Sequence, residues 1–130
     1  MTEYTTASHL NADCISIAEE LEAHANGRAY TDKNGDVVIL DSEEEPTDEM
    51  EYRGLYDFIN DALDIEVTCG LSGDYRGAML YMTVGGPAIW IDTQSGFVEG
   101  RWATDSCSKW VDSDTIDALN EAIEEIIETR

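Results

Sequence analysis

Apolar residues recur at three- and four-residue steps over residues 8–25: Leu10, Cys14, Ile17, Ala18, Leu21 and Ala25. That period marks an amphipathic helix, and Asn26-Gly27 supplies its stop. Two short extended runs follow at 28–31 and 37–40, and the Asn34-Gly35 between them predicts a hairpin. Residues 41–51 (DSEEEPTDEME) are almost wholly polar and read as a solvated loop. A second helix is expected over 50–63, with Leu55, Tyr56, Ile59 and Leu63 on its inner face. The pattern then turns strand-like. Residues 65–69, 75–84, 88–92 and 97–103 are rich in β-branched and aromatic side chains. Turn residues at 71–74, 85–87 and 93–96 separate them, as in an antiparallel meander. Residues 113–128 return to the helical period through Ile116, Leu119, Ala122, Ile123, Ile126 and Ile127, with Ser113 as the expected N-cap.

The order α-ββ-α-ββββ-α predicts a single α+β domain over residues 1–130: an antiparallel β-meander of about four strands plus a short hairpin, with about three helices packed on one face. Apolar content of 42% is enough for a core. No apolar run approaches the roughly 18 residues a membrane span needs. The opening MTEYTTASHLNADC has no basic stretch followed by an apolar one, so no secretory leader is expected.

Charge changes the picture most. Asp and Glu number 29 against 7 Lys and Arg, a formal net charge of −22. Such a surface is repelled by nucleic acid and by anionic lipid, so neither a direct nucleic-acid partner nor a membrane is expected. It suits basic proteins, and the grooves that bind nucleic acid are the commonest basic surfaces of a bacterial cell. The acids concentrate in two places. Asp41, Glu43, Glu44, Glu45, Asp48, Glu49 and Glu51 crowd the loop, with no base among them. Asp114, Asp117, Glu121, Glu124, Glu125 and Glu128 fall at helical steps opposite the isoleucine stripe of the last helix. At 1.5 Å per residue this row spans roughly 21 Å, with an acid about every turn. Phosphates along one DNA strand recur every 3.4 Å or so of axis, so a rigid carboxylate row resembles a phosphate row to a Lys- and Arg-lined groove. A solvated helix face is the plain alternative, and a salt-adapted proteome, acidic throughout, is another.

Catalytic signals are thin. His9 and His24 lie 15 residues apart without metal-protease spacing, and no nucleophile elbow, P-loop or dinucleotide fingerprint occurs. No catalytic residue and no cofactor is expected; an enzyme would need a pocket with a base beside a thiol such as Cys69 or Cys107. The three cysteines, Cys14, Cys69 and Cys107, form neither a C-x-x-C pair nor an even set, and are expected as reduced, buried thiols of a cytoplasmic protein. Asp32, Asn34, Asp36 and Glu43 stand at positions 1, 3, 5 and 12 of a calcium-loop spacing, a weaker metal alternative. Position 6, where the sharp turn needs glycine, is Val37, and Pro46 interrupts the exiting segment. Gly85-Gly86-Pro87 reads as a tight strand connection, since Pro87 removes a donor an anion would use. Of Trp90, Trp102 and Trp110, two are expected in the core, and Trp110 is the best candidate for exposure.

From residue 64 to about 127 the chain resembles small proteins carried by phages and conjugative elements of gut bacteria. The likeness rests on Leu63-Asp64-Ile65-Glu66, Asp74-Tyr75-Arg76, Gly85-Gly86-Pro87, Ile89, Ile91-Asp92-Thr93, Val98-Glu99, Trp102 and Ala122-Ile123-Glu124-Glu125. It covers about half the chain. In size, acidity and genetic setting these proteins resemble anti-CRISPR and anti-restriction inhibitors. The resemblance implies a genetic setting more than a mechanism; taken with the charge, a non-enzymatic inhibitor in the cytoplasm of a bacterial host, monomeric or homodimeric, is expected to block a basic nucleic-acid-binding groove by mimicry. Its partner would be a basic nucleic-acid-binding protein such as a Cas effector or a restriction enzyme. It offers no site residues.

Overall fold

Burial alternates along the middle of the chain with the period of two that a one-sided sheet requires. Ala78 and Leu80, Ile89 and Ile91, and Val98 are each at most 2% exposed, while the residues between them are not buried. The computed structural model describes residues 6–83 and 86–129. In it these buried residues form one face of a five-stranded antiparallel sheet of order β4-β5-β6-β7-β8. The strands are β4 (Asp64–Cys69), β5 (Tyr75–Thr83), β6 (Ala88–Asp92), β7 (Phe97–Trp102) and β8 (Asp105–Trp110). Val84 and Gly85, the expected end of one strand and start of the next turn, lie outside the described residues.

Three helices cover that face: α1 (Thr6–Ala25), α2 (Leu55–Asn60) and α3 (Ser113–Glu128). α1 packs across β7 and β8 through Leu10 and Cys14, and Ala18 and Leu21 of the same stripe are also buried. Its end is fixed by Gly27 at φ +73°, where Arg28 N–H donates to the Ala23 carbonyl (2.9 Å). α3 buries Ile116, Leu119, Ala122 and Ile123 in the same core. The expected α+β class, meander and one-sided helix layer are therefore observed.

A second, three-stranded sheet of order β2-β1-β3 is formed by β1 (Ala29–Thr31), β2 (Val37–Ile39) and β3 (Glu51–Arg53). His24, 2% exposed, ties it to the helices. Arg53 Nε donates to His24 Nε2 (3.1 Å), which leaves Nδ1 to donate to the Glu20 carbonyl (2.6 Å). The His24 ring lies 5.1 Å from that of Phe58 on α2, and Arg53 also pairs with Asp61.

Several expectations are corrected. β8 was not foreseen, so the large sheet has five strands rather than four. Glu51 belongs to a strand rather than to the loop. α2 is a short helix beginning after Gly54, whose N–H donates to the Asp57 carboxylate (2.9 Å). That start sets its phase: Phe58 and Ile59 are buried, Tyr56 is exposed, and Leu63 lies beyond the helix. The cap of α3 is Asp112, not Ser113; Thr115 N and Oγ1 donate to its two carboxylate oxygens (3.0 and 2.8 Å). None of the three tryptophans is in the core. Trp90 is half-buried on the sheet face turned away from the helices, and Trp102 and Trp110 are exposed, the latter as expected. Cys14 and Cys107 are not separate thiols but a disulfide, because α1 crosses β8 and brings together residues 93 apart in sequence. Cys69 is a free thiol but exposed rather than buried, since it ends the edge strand β4.

Candidate acidic interaction surface

α3 carries the carboxylate row because one stripe of it is committed to the core. At about 100° per residue, Asp114, Asp117, Glu121, Glu124, Glu125 and Glu128 fall within an arc of about 100°. All six are exposed, on the side opposite the buried Ile116, Leu119 and Ile123. The core contact fixes the roll of the helix, and so fixes where the row points.

The loop acids are ordered by the loop itself. Asp41 Oδ1 accepts from the N–H groups of Glu43 (2.9 Å) and Glu44 (3.0 Å), and Asp41 N–H donates to Glu44 Oε1 (3.2 Å). Leu40 anchors the entry, buried and joined both ways to Arg28. Asp41, Glu43, Glu44, Glu45, Asp48 and Glu49 are all exposed, and so is Glu51 on β3. Little of this charge is neutralised internally. Among the described residues the ion pairs are Lys33–Glu49, Arg53–Asp61 and Arg76–Asp74. Only the first touches either acid group. At 3.9 Å with both side chains 68% exposed, it contributes little and is readily screened.

The middle of the helix row borders a groove. It measures about 410 Å³ and runs between β3–α2 and α3, lined by His24, Tyr52, Tyr56, Glu121 and Glu125 among others. Glu51 does not line this groove; next to Tyr52 on β3, it points to the other face of the small sheet. The Tyr56 hydroxyl donates to Glu125, and that carboxylate raises the phenol above its ordinary range, with smaller contributions from desolvation and Glu121. Residues 41–49 do not line this groove. At the other end of α3, Asp117 borders a second groove with Trp110 and the 93–96 turn. The structure thus sets Tyr52 and Tyr56 beside Glu121 and Glu125, and leaves the loop acids outside that groove.

Sequence reasoning missed the aromatic component. Tyr52, Tyr56 and Trp110 are 61%, 47% and 59% exposed beside these carboxylates. Tyr52 lies hidden within an acid run, and Tyr56 falls outside the inner face that Leu55, Phe58 and Ile59 form. Asp32, Asn34 and Asp36 form a hairpin turn. The Asp32 carboxylate accepts from the Asn34 and Asp36 N–H groups (2.9 and 3.0 Å), and Glu43 lies beyond β2 in the Asp41 turn. Among the described residues no three His, Cys, Asp or Glu side chains gather as a metal site. Cys107 lines a groove with Glu99 and Arg101, but its sulfur is bonded to Cys14, and the His24 ring nitrogens are both engaged.

Fold and surface together define a class: an α+β domain presenting ordered, largely unneutralised carboxylates with aromatics among them. No protein-family model, no curated protein and no solved structure matches this chain.

Proposed function

We propose that this protein is a non-enzymatic inhibitor of a bacterial defence system, anti-CRISPR or anti-restriction, that occupies a basic nucleic-acid-binding groove in place of nucleic acid. The observation that carries this reading is the α3 row: six exposed carboxylates on one stripe of a helix whose orientation the core fixes. A groove evolved for phosphates presents Lys and Arg at comparable intervals, and a preorganised row meets them without the cost of ordering. Asp41, Glu43, Glu44, Glu45, Asp48, Glu49 and Glu51 extend the negative surface beyond the helix. Tyr52 and Tyr56 supply flat faces on which Arg side chains stack.

The partner is a Cas effector or restriction enzyme in the cytoplasm of a bacterial host. No helix among the described residues is long and apolar enough to cross a membrane.

The test is competition. Labelled target DNA bound to a panel of Cas effectors and restriction enzymes is challenged with wild type and with a variant carrying D114N, D117N, E121Q, E124Q, E125Q and E128Q. Displacement by wild type that weakens at least about tenfold in the variant is expected. Equal displacement by both removes the helix row from the mechanism.

A further inference from the structure

β4 is a free edge of the large sheet. It pairs with β5 on one side, and among the described residues no strand pairs with the other. An antiparallel edge strand offers alternate N–H and C=O groups to whatever extends alongside it. Its side chains divide sharply. Ile65 and Val67 point toward α3 and, with Ile59, Ile123, Ile126 and Ile127, line an apolar cleft of about 100 Å³. Val67 and Ile127 are 40% and 37% exposed, so the cleft opens to solvent along the strand. Asp64 and Glu66 lie on the opposite face, across from Tyr81 and Met79.

The charge decides what fits. Edge strands are commonly guarded by Lys or Pro. This one has neither, but carries acids and a register shift between Thr68 and Cys69. Pairing β4 with the β4 of a second copy would bring both copies' Asp64 and Glu66 onto one face of a joined sheet, between chains of −22 each. The same carboxylates attract a strand bearing cations. We propose that β4 and the isoleucine cleft form a docking site for an extended segment of a basic partner protein, in which apolar side chains alternate with Lys or Arg. The segment adds to the sheet beyond β4, its apolar side chains entering the cleft and its cations facing Asp64 and Glu66. This surface does not depend on the carboxylate row of α3.

A capped eight-residue peptide of alternating lysine and valine, titrated into the ¹⁵N-labelled full chain, tests this, with a glutamate–valine peptide as control. Amide shifts and exchange protection at residues 64–69, with shifts at Ile123, Ile126 and Ile127, are expected for the lysine peptide only. Glu66→Lys and Ile127→Glu, both at exposed positions, are each expected to weaken binding about tenfold or more. Ile127→Glu adds negative charge, so its loss of binding isolates the cleft from electrostatics. Glu121→Gln is expected to stay within about twofold of wild type. Three outcomes overturn the proposal: shifts centred on 41–51 or the outer face of α3, unchanged binding by Ile127→Glu, or a β4-mediated dimer that binds no peptide.

Discussion

Gly100 lies on β7 directly beneath α1, paired with Cys107 across the β7–β8 register. A Cβ placed there would stand 2.9 Å from Cys14 Sγ, 3.0 Å from Leu10 Cδ1 and 3.1 Å from Cys107 Sγ. These neighbours have little room to yield: Leu10 and Cys14 are wholly buried and the two sulfurs are joined. Alanine in place of glycine in a strand ordinarily stabilises by about 0.5–1 kcal/mol. One methyl too many in a packed core costs about 1–3 kcal/mol. Crowding outweighs that gain, and Gly100→Ala should lose up to about 2.5 kcal/mol net. At this chain length that lowers Tm by about 3–6 °C per kcal/mol. Differential scanning calorimetry with urea titration measures it, and Gly86→Ala is the control. A Cβ at Gly86 meets nothing within 4 Å, so its effect should stay within about 0.5 kcal/mol. Gly100→Ala melting at or above wild type would refute the docking of α1 on β7.

Two further outcomes follow from the caps and the crosslink. The Asp112 carboxyl is held below its ordinary range, first by the Thr115 hydroxyl and then by the Thr115 backbone N–H. Its contribution is present above the ordinary carboxyl range and is lost as pH falls through the lowered folded-state value. Asp112→Ala should cost about 0.5–2 kcal/mol at neutral pH, with the gap closing in acid; urea unfolding at both pH values checks this, and a gap that persists in acid contradicts the cap. The Cys14–Cys107 disulfide closes a span of 93 residues, for which chain entropy gives about 4–5 kcal/mol. Thermal melts should fall on adding reductant, and a melt indifferent to reductant speaks against the bond.

How far the sequence disclosed the fold depended on how strongly each segment's periodicity was written. α3 was legible apart from its cap, because its apolar and acidic positions recur over four turns without interruption. β6 was legible because Ala88-Ile89-Trp90-Ile91-Asp92 sits between two turns. β8 was not, because Asp105-Ser106-Cys107-Ser108-Lys109-Trp110 has almost none of the residues that favour strands. It is held by pairing with β7 and by α1 lying across it, both tertiary effects. The turn into it is equally unmarked, since Ala103 adopts φ +55° where glycine or asparagine is usual. β3 was masked by the acid run that precedes it. At the acidic surface, each carboxylate was legible by type and spacing. The groove that sets Tyr52 and Tyr56 beside Glu121 and Glu125 was not, because it depends on how the small sheet docks through His24 and Arg53.

The central claim is that carboxylates standing in for phosphates drive recognition, and the salt dependence of binding tests it most directly. Affinity for a Cas effector or restriction enzyme displaced in the competition assay is measured from about 0.05 to 0.5 M salt, for wild type and for the six-site α3 variant. Wild-type affinity should fall steeply and log-linearly with salt, and the variant should show a shallower slope. Binding by wild type that is unchanged across that range would contradict electrostatic mimicry as the main source of affinity.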